Sequence, residues 1–389
     1  MTKNIRTILK PFLIISYVFG LRIADLPINR TKLWISFLYM LLIWIVYYCL
    51  LISPLVYSVQ KSYSIEYHIC YYMEILISLL SIMFGVYNHK KFQNCLKKLD
   101  IIDNTLLELG TVTDYDKLRK KILWHILGWF IIVILMNSVT ALSVNVEHDC
   151  DILTAIIVVF IRNYSYHVNV IGYLTTTNIL GYIGLKFDQI NKHLQNLTTD
   201  NDHKIKQVRE NLIRHSYRCR FLKTLNTKRT IWIIRHLHLE LRKVSYEIDS
   251  IFVTDMSFKM GSYFGWIIFL IRETFCALIG NLKYDKILYA ATNVIWISHN
   301  IFKFLLVNYM CETVSTKANA TGHLLNKLLY STYDDEVREV ISQFSLQMVF
   351  MPLRFYGIGL FQFGFKYLHR FIMSIVTVLV IVIQAREDK

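Results

Sequence analysis

The chain has 389 residues, 54% of them apolar and only 18% charged, with a net charge of +15. A soluble domain carries about 25% charged residues, and 14 Gly and 4 Pro exclude a collagenous or disordered polymer. The basic excess does not indicate nucleic acid as a partner, because it sits beside apolar runs too long for a soluble core.

The first 33 residues include a short apolar run, 12–21, with no small-residue cleavage site, so no secretory signal is expected. A bilayer crossing takes about 20 mainly apolar residues. Seven stretches qualify: 34–57, 68–88, 122–145, 152–185, 258–281, 287–311 and 365–385. The fourth is longer than one crossing needs, so that helix tilts or runs past the bilayer into water. The predicted fold is all-α, a polytopic membrane protein of seven spanning helices.

Lys and Arg resist translocation, and their distribution sets the orientation. Segments 1–33, 89–121, 186–257 and 312–364 hold 32 of the 43 Lys and Arg residues; the alternate loops and C-terminal tail hold 5. This bias puts the N-terminus in the cytoplasm and the C-terminus outside. The chain divides into a cytoplasmic segment 1–33, spans one to four over 34–185, a cytoplasmic helical segment 186–257, spans five and six over 258–311, a second cytoplasmic helical segment 312–364, the last span 365–385 and an outer tail 386–389. A G-protein-coupled receptor would need an external N-terminus. A secondary transporter would show internal repeats and broken helices; no repeat is visible, and only Pro54 lies inside a predicted span.

Apolar residues in the long loops recur at helical spacing. Ile231, Ile234, Leu237, Leu241, Val244, Ile248 and Ile251 form one seam, and Arg235, Arg242, Lys243 and Glu247 lie on other faces. A weaker seam runs through Val314, Ala318, Thr321, Leu325 and Leu328, and a third through Val337, Val340, Ile341 and Phe344. Asp334, Asp335 and Glu336 precede the third, where a helix dipole favours negative charge. Such seams either pack within one subunit or join subunits in a cytoplasmic bundle.

Ionisable groups inside spans are costly and are functional candidates by default. Glu74 lies in the second span, and Arg162 and His167 in the fourth with Asn163 and Asn169 nearby. Arg272 and Glu273 lie in the fifth, His299 and Asn300 in the sixth. Each is a structural partner within the bundle or a wall of a polar pocket open to the outside. Tyr71, Tyr72, Trp129, Tyr164, Tyr166, Tyr173, Trp266 and Trp296 supply aromatic surface for such a pocket. The expected ligand set is Glu74, Trp129, Arg162, His167, Arg272, His299 and Asn300.

No catalytic constellation is present. His236, Leu237 and His238 do not have a zincin spacing, and neither a phosphate loop nor a Gly-x-Ser-x-Gly elbow occurs. No enzyme activity, cofactor or metal is expected. The seven Cys lack any Cys-x-x-Cys spacing and read as small apolar side chains.

The last span is short and rich in β-branched residues. Thr377, Val380, Ile381 and Gln384 share one helical face. Repeated about a symmetry axis, that face makes a narrow apolar pore with a polar ring; in a monomer it packs against neighbouring helices.

The C-terminal segment resembles the signature of insect gustatory receptors: Thr-Tyr, five apolar residues, Gln-Phe. Thr377 and Gln384 match at the right separation, with Leu379, Val380, Ile381, Val382 and Ile383 between; Val378 and Ala385 replace the Tyr and Phe. The run 355–361, with Gly357, Gly359, Leu360 and Phe361, resembles the family's Gly-Leu-Phe turn. Length, span number and inverted orientation agree as well. The resemblance implies a tastant-gated, non-selective cation channel of the plasma membrane, assembled as a homo- or hetero-tetramer with related subunits. It implies that the last helices line the pore, with Gln384 at the constriction. It assigns the seams containing Ile231, Ile234, Leu241, Val244, Ile248, Val337, Val340, Ile341 and Phe344 to an anchor between subunits, and it places a small-ligand pocket in the outer half of the bundle.

Overall fold

Backbone groups inside a bilayer must be satisfied within their own segment, which leaves helices as the economical solution for long apolar runs. The computed structural model describes residues 5–21, 30–61, 63–210, 217–279 and 286–387. Helix α1 (Ile5–Val18) lies within the expected N-terminal segment and buries Ile5, Ile8, Leu9, Phe12 and Ser16, a stripe at helical spacing. Helix α2 (Arg30–Leu51) stops short of the expected span 34–57, because Pro54 opens a separate helix, α3 (Pro54–Gln60). Proline cannot donate to the preceding turn and disfavours helical geometry at the residue before it.

Helix α4 (Ile65–Tyr87) begins where Ser64 Oγ accepts from Tyr67 N at 3.3 Å. It is followed after Asn88 by α5 (His89–Glu108), whose buried Phe92, Cys95, Leu96, Leu99, Ile102 and Leu106 recur every three or four residues. Asp114 caps α6 (Tyr115–His148), and Asp149 closes it in the left-handed region. Three long helices follow: α7 (Ile152–Glu210), α8 (Tyr217–Ile279) and α9 (Lys286–Tyr330). Asp334 caps α10 (Asp335–Phe350), accepting from Glu336 N at 3.0 Å and Val337 N at 3.2 Å. A two-stranded turn, β1 (Tyr356–Gly357) and β2 (Phe361–Gln362), leads into α11 (Phe365–Glu387). A Cβ on Gly357 would overlap the Phe361 ring, and Gly364 adopts φ +137° while its N–H donates to Asn308 Oδ1 at 3.0 Å. Both glycines are therefore required by this turn.

The expected spans at 68–88, 122–145, 152–185, 287–311 and 365–385 each lie on one helix to within a residue, and 258–281 lies on α8 as far as Ile279. Among the described residues, α2, α4, α6, α8 and α9 contain stretches long and apolar enough to cross a membrane. The segment boundaries expected at 185/186, 257/258 and 311/312 are not helix ends. At about 1.5 Å per residue, the 59 residues of α7 extend about 90 Å, three times a hydrocarbon core of about 30 Å. Helix α7 is also the hub, touched by α1, α2, α3, α4, α5, α6, α8 and α9.

Beyond the apolar half, α5, α7, α8, α9 and α10 build a core of soluble type. The seams Ile231–Ile251 and Val314–Leu328 are buried in it, as are Val337, Ile341 and Phe344, with Val340 packed at its edge. These side chains are enclosed within a single chain and pack on each other, because one chain supplies the facing helices. Arg242, expected on a face other than the seam, is buried too and donates to the carbonyl of Met351 at 2.6 Å, satisfying the end of α10. Lys186 is likewise buried, held by Asp103 and by Thr113 Oγ1 at 2.8 Å. Burial pushes its ammonium below the usual lysine range, and Asp103 opposes that shift.

A candidate ligand cavity in the helical bundle

At the far end of the bundle from that core lies a cavity of about 110 Å³. Four helices each give it a stripe at one-turn spacing. They are Tyr67, Tyr71 and Glu74 on α4, Thr140, Ser143, Val144 and Glu147 on α6, Trp266, Phe269, Leu270 and Glu273 on α8, and Tyr289, Thr292, Asn293 and Trp296 on α9. Residues three, four and seven apart lie on one face of a helix, so the four stripes close a box. Helix α7 supplies the remaining wall with Arg162, Asn163, Ser165 and Tyr166, and Tyr63 and Ser64, just before α4, close one end.

The floor is a hydrogen-bonded network. Glu74 accepts from Asn169 Nδ2 at 2.8 Å and from Ser262 Oγ at 2.6 Å. Tyr166 donates to Asn300 Oδ1 at 2.8 Å and accepts from Lys303 Nζ. The Lys303 ammonium is fully enclosed, 3.8 Å from the Tyr166 ring centre and 4.0 Å from that of Tyr263. A buried ammonium among aromatic faces keeps part of the stabilisation it loses on leaving water. Nearby, Lys259 donates to Asp255 at 2.7 Å, one turn along α8, and Asp255 also accepts from Ser81.

The rim is built around Arg162. Its guanidinium donates to Tyr63 Oη at 2.8 Å and lies 5.2 and 5.9 Å from the ring centres of Tyr63 and Tyr67. Those two rings stack at 4.5 Å. Arg162 is only 6% exposed, yet it forms no ion pair among the described residues, and its Nε has no hydrogen-bond partner there. Trp296 Nε1 donates to Thr140 Oγ1 at 3.0 Å, while Trp266 Nε1 and Asn293 Nδ2 are without described partners.

Of the expected ligand set, Glu74 and Arg162 line the cavity. Asn300 stands one bond behind the wall through Tyr166. His299 packs 5.8 Å from the Tyr166 ring, and His167 turns to Asn137 Oδ1 at 3.1 Å, joining α7 to α6. Trp129 is 11 residues before Thr140, about 16 Å along α6, and packs on Phe19 instead. Arg272 is adjacent to Glu273 but rotated by about 100°, which sends it to the half-exposed rim, where it pairs with Glu66 at 2.8 Å. Of the aromatic set, Tyr71, Tyr166, Trp266 and Trp296 line the cavity; Tyr72 is exposed, Tyr164 packs with Tyr47, and Tyr173 lies deeper against Lys303. The residues missed by sequence reasoning are Tyr63, Tyr67, Glu147, Tyr289 and Asn293. The available signal was the one-turn spacing of polar and aromatic residues at the same end of α4, α6, α8 and α9.

On α11, Phe371 stacks on Phe304 with ring centres 3.6 Å apart, and Tyr367 stacks on Phe361 at 4.1 Å. Further along, Thr377, Val380, Ile381 and Gln384 are all exposed, whereas Ile375, Val378 and Leu379 are half-buried. The face singled out in the sequence therefore turns away from its own bundle.

Comparison with known proteins agrees with this architecture. The sequence profile of 7tm chemosensory receptors matches residues 9–387. The fold is similar to that of the insect olfactory receptor OR5 from Machilis hrabei, with a TM-score of 0.69 at 11% identity over 98% of each chain. It is also similar to the same receptor in complex with eugenol, with a TM-score of 0.63 at 13% identity over 98% of each chain. At these identities the likeness is one of fold. No curated protein matches the sequence closely enough to count.

Proposed function

The chain belongs to the 7tm chemosensory receptor family, and from that premise we propose that it is a receptor of gustatory type that opens a non-selective cation pore in the plasma membrane when a small molecule enters the cavity. The observation that carries the channel reading is the exposed face of α11. Thr377, Val380, Ile381 and Gln384 are exposed, while the other end of the same helix is stacked on Phe304 and Phe361. An isolated amide such as that of Gln384 is costly against lipid and is satisfied against water or a second amide. Four subunits, identical or related, would bring that face onto a common axis.

The Thr377 and Gln384 pair supports the gustatory type, and the loop charges support a cytoplasmic N-terminus, which sets the cavity in the outer half. The complex of the Machilis hrabei receptor with eugenol supports a small organic ligand. Assembly then rests on α11 and on exposed faces of the cytoplasmic helices, since the apolar seams are already used within one chain.

The test is voltage clamp of oocytes expressing the full chain, with surface expression checked by labelling. A small-molecule panel should evoke cation current reversing near zero potential. Gln384→Ala should alter basal leak or selectivity, and Gln384→Cys should make the current sensitive to external thiol reagents, whereas Cys at Ile375 should not. Identical currents from wild type and both Gln384 variants would remove α11 from the pore.

A further inference from the structure

The segment between α10 and α11, residues 351–364, is tied to its own bundle by two helices. From α8, Arg242 Nη1 donates to the Met351 carbonyl at 2.6 Å, Tyr246 Oη donates to the Pro352 carbonyl at 2.9 Å, and the Asp249 carboxyl accepts from the Tyr356 N–H. Positions 242, 246 and 249 are four and three apart, which sets them on one face of that helix. From α9, Asn319 Oδ1 accepts from Leu353 N at 3.2 Å and Asn308 Oδ1 from Gly364 N at 3.0 Å. Gly364 is the residue before α11, so these ties fix where the last helix starts.

An asparagine amide does not titrate and a guanidinium stays charged; Asp249 is the carboxyl among these ties. It is half-buried and lines a cavity of about 20 Å³ with Cys311, Phe355 and Phe363, room for one water. Burial pushes its carboxyl up to about 7, and the Tyr356 bond opposes that shift. On α9 the facing titratable group is Cys311, whose thiol feels both Asp249 and the neighbouring Glu312. The Glu312 carboxylate itself lies against Gly364, at the other end of the turn. Thr176 and Leu180 of α7 and the Phe355 and Phe363 rings bring no charge to the cavity, and Arg242 and Tyr246 are engaged with carbonyls. Ionised Asp249 therefore puts its charge beside apolar rings, a cost relieved when the turn lifts and water reaches the carboxylate.

Resting on the reading of α11 as the pore helix, we propose that this turn is a proton-operated latch: with Asp249 neutral it stays seated on α8 and holds the root of α11, and with Asp249 ionised it lifts and frees that root to move. Acid on the extramembrane side locks the latch, and alkali loosens it. The neutral carboxyl keeps an acceptor oxygen for the Tyr356 N–H, so locking breaks no tie.

The experiment is hydrogen–deuterium exchange of the purified full chain in lipid nanodiscs without ligand, at pH 6 and pH 8, corrected for the chemical exchange rate. Exchange in the peptide 353–364 should rise about tenfold between the two, the change expected when a carboxyl near 7 in the seated turn returns to about 3.9 in water, and should level off above pH 8. At both pH values it should be faster than in the core peptide 314–328, as local opening requires. Asp249→Asn keeps an acceptor for Tyr356 and cannot ionise, so its exchange should stay at the wild-type pH 6 level; Asp249→Ser serves if that variant does not fold. Glu312→Gln should respond as wild type does. The latch is overturned by equal exchange at pH 6 and pH 8, by exchange no faster than the core peptide, by a response that survives loss of the Asp249 carboxyl, or by one that Glu312→Gln removes. In inside-out oocyte patches without ligand, basal open probability should follow bath pH over the same range in wild type and not in Asp249→Asn. A pH-dependent turn with pH-independent current would overturn the reading of α11 as the gate and leave the latch standing; pH-dependent current with a pH-independent turn would overturn the latch alone.

Discussion

The two halves of the molecule follow opposite packing rules, although the same helices run through both. In the extramembrane half, α8 buries Leu241 and Val244 and α9 buries Val314 and Leu325, with Lys243 and Glu240 left outside. In the membrane half, many apolar side chains face out, while buried charged groups lie inside beside a second apolar cluster that includes Val158, Val159 and Ile171. Leu42 is 60% exposed, while Glu74 and Lys303 are each 2% exposed. On α8 the buried set gains Asp255, Lys259 and Ser262 past Ile251, and on α9 buried Lys303 and Asn308 precede buried Val314 and Leu325. Lipid removes the penalty for exposing Leu or Ile, and it leaves charged groups no refuge except the bundle interior.

The contrast predicts how each half responds to mutation. Leu241→Asp puts a charge into a sealed apolar core, at a cost of several kcal/mol, and should abolish the monodisperse peak in size-exclusion chromatography of the whole receptor. It should do so by unfolding the chain; a folded monomer would restore the seam to an intersubunit role. Lys186→Met leaves Asp103 buried and unpaired, and should lower stability by about 3–5 kcal/mol, read by thermal melting. The double variant with Asp103→Leu should recover much of that loss. In the membrane half, Glu74→Leu makes the core more apolar and should still destabilise it, by about 1–3 kcal/mol for each of the Asn169 and Ser262 donors left without an acceptor. An unchanged melting temperature there would break the comparison.

A smaller effect is a pH slope. Burial of Asp249 pushes its carboxyl up to about 7, above the value of about 3.9 expected in an unfolded chain. The neutral acid is then the form the fold prefers. Its stabilising contribution is fully present below about pH 4 and is lost as pH rises to about 7. Asp249→Asn should flatten the melting temperature across that window. The smallest effect belongs to the exposed pair of Lys228 and Glu336, where Lys228→Ala should leave the melting curve unchanged.

The long apolar stretches and the apolar seams were legible because hydropathy and helical period register burial directly. The helix boundaries were less so. The segments after spans four and six were read as helical, but as elements separate from the spans; nothing in 186–210, 217–257 or 312–330 breaks a helix, and α7, α8 and α9 continue through. Leu241 and Val244 were legible as buried, but an apolar stripe reports that a face is buried, not which chain buries it, and here helices of the same chain do so. Glu74 and Arg162 were found as charges in spans, but Lys259 and Lys303 carried the same signal and were passed over. Trp129 and Arg272 do not line the candidate cavity, because an aromatic ring or charge in a span has depth and azimuth that composition alone does not reveal. Phase within each stripe would have placed Arg272 on the outside of α8 next to Glu273.

The continuity of α9 has a mechanical consequence. Its 45 residues make a rod about 68 Å long at about 1.5 Å per residue. One end carries Asn293 and Trp296 at the cavity, the middle carries Phe304 stacked on Phe371 of α11, and the far end is seated against α10. A stiff rod does not dissipate a tilt. A rotation of only about 2° about one end of such a rod moves the other by about 2 Å, and Phe371 sits partway along that arc. A rod pivoting in the extramembrane core would act as a lever, and a small displacement at its cavity end would swing the root of α11.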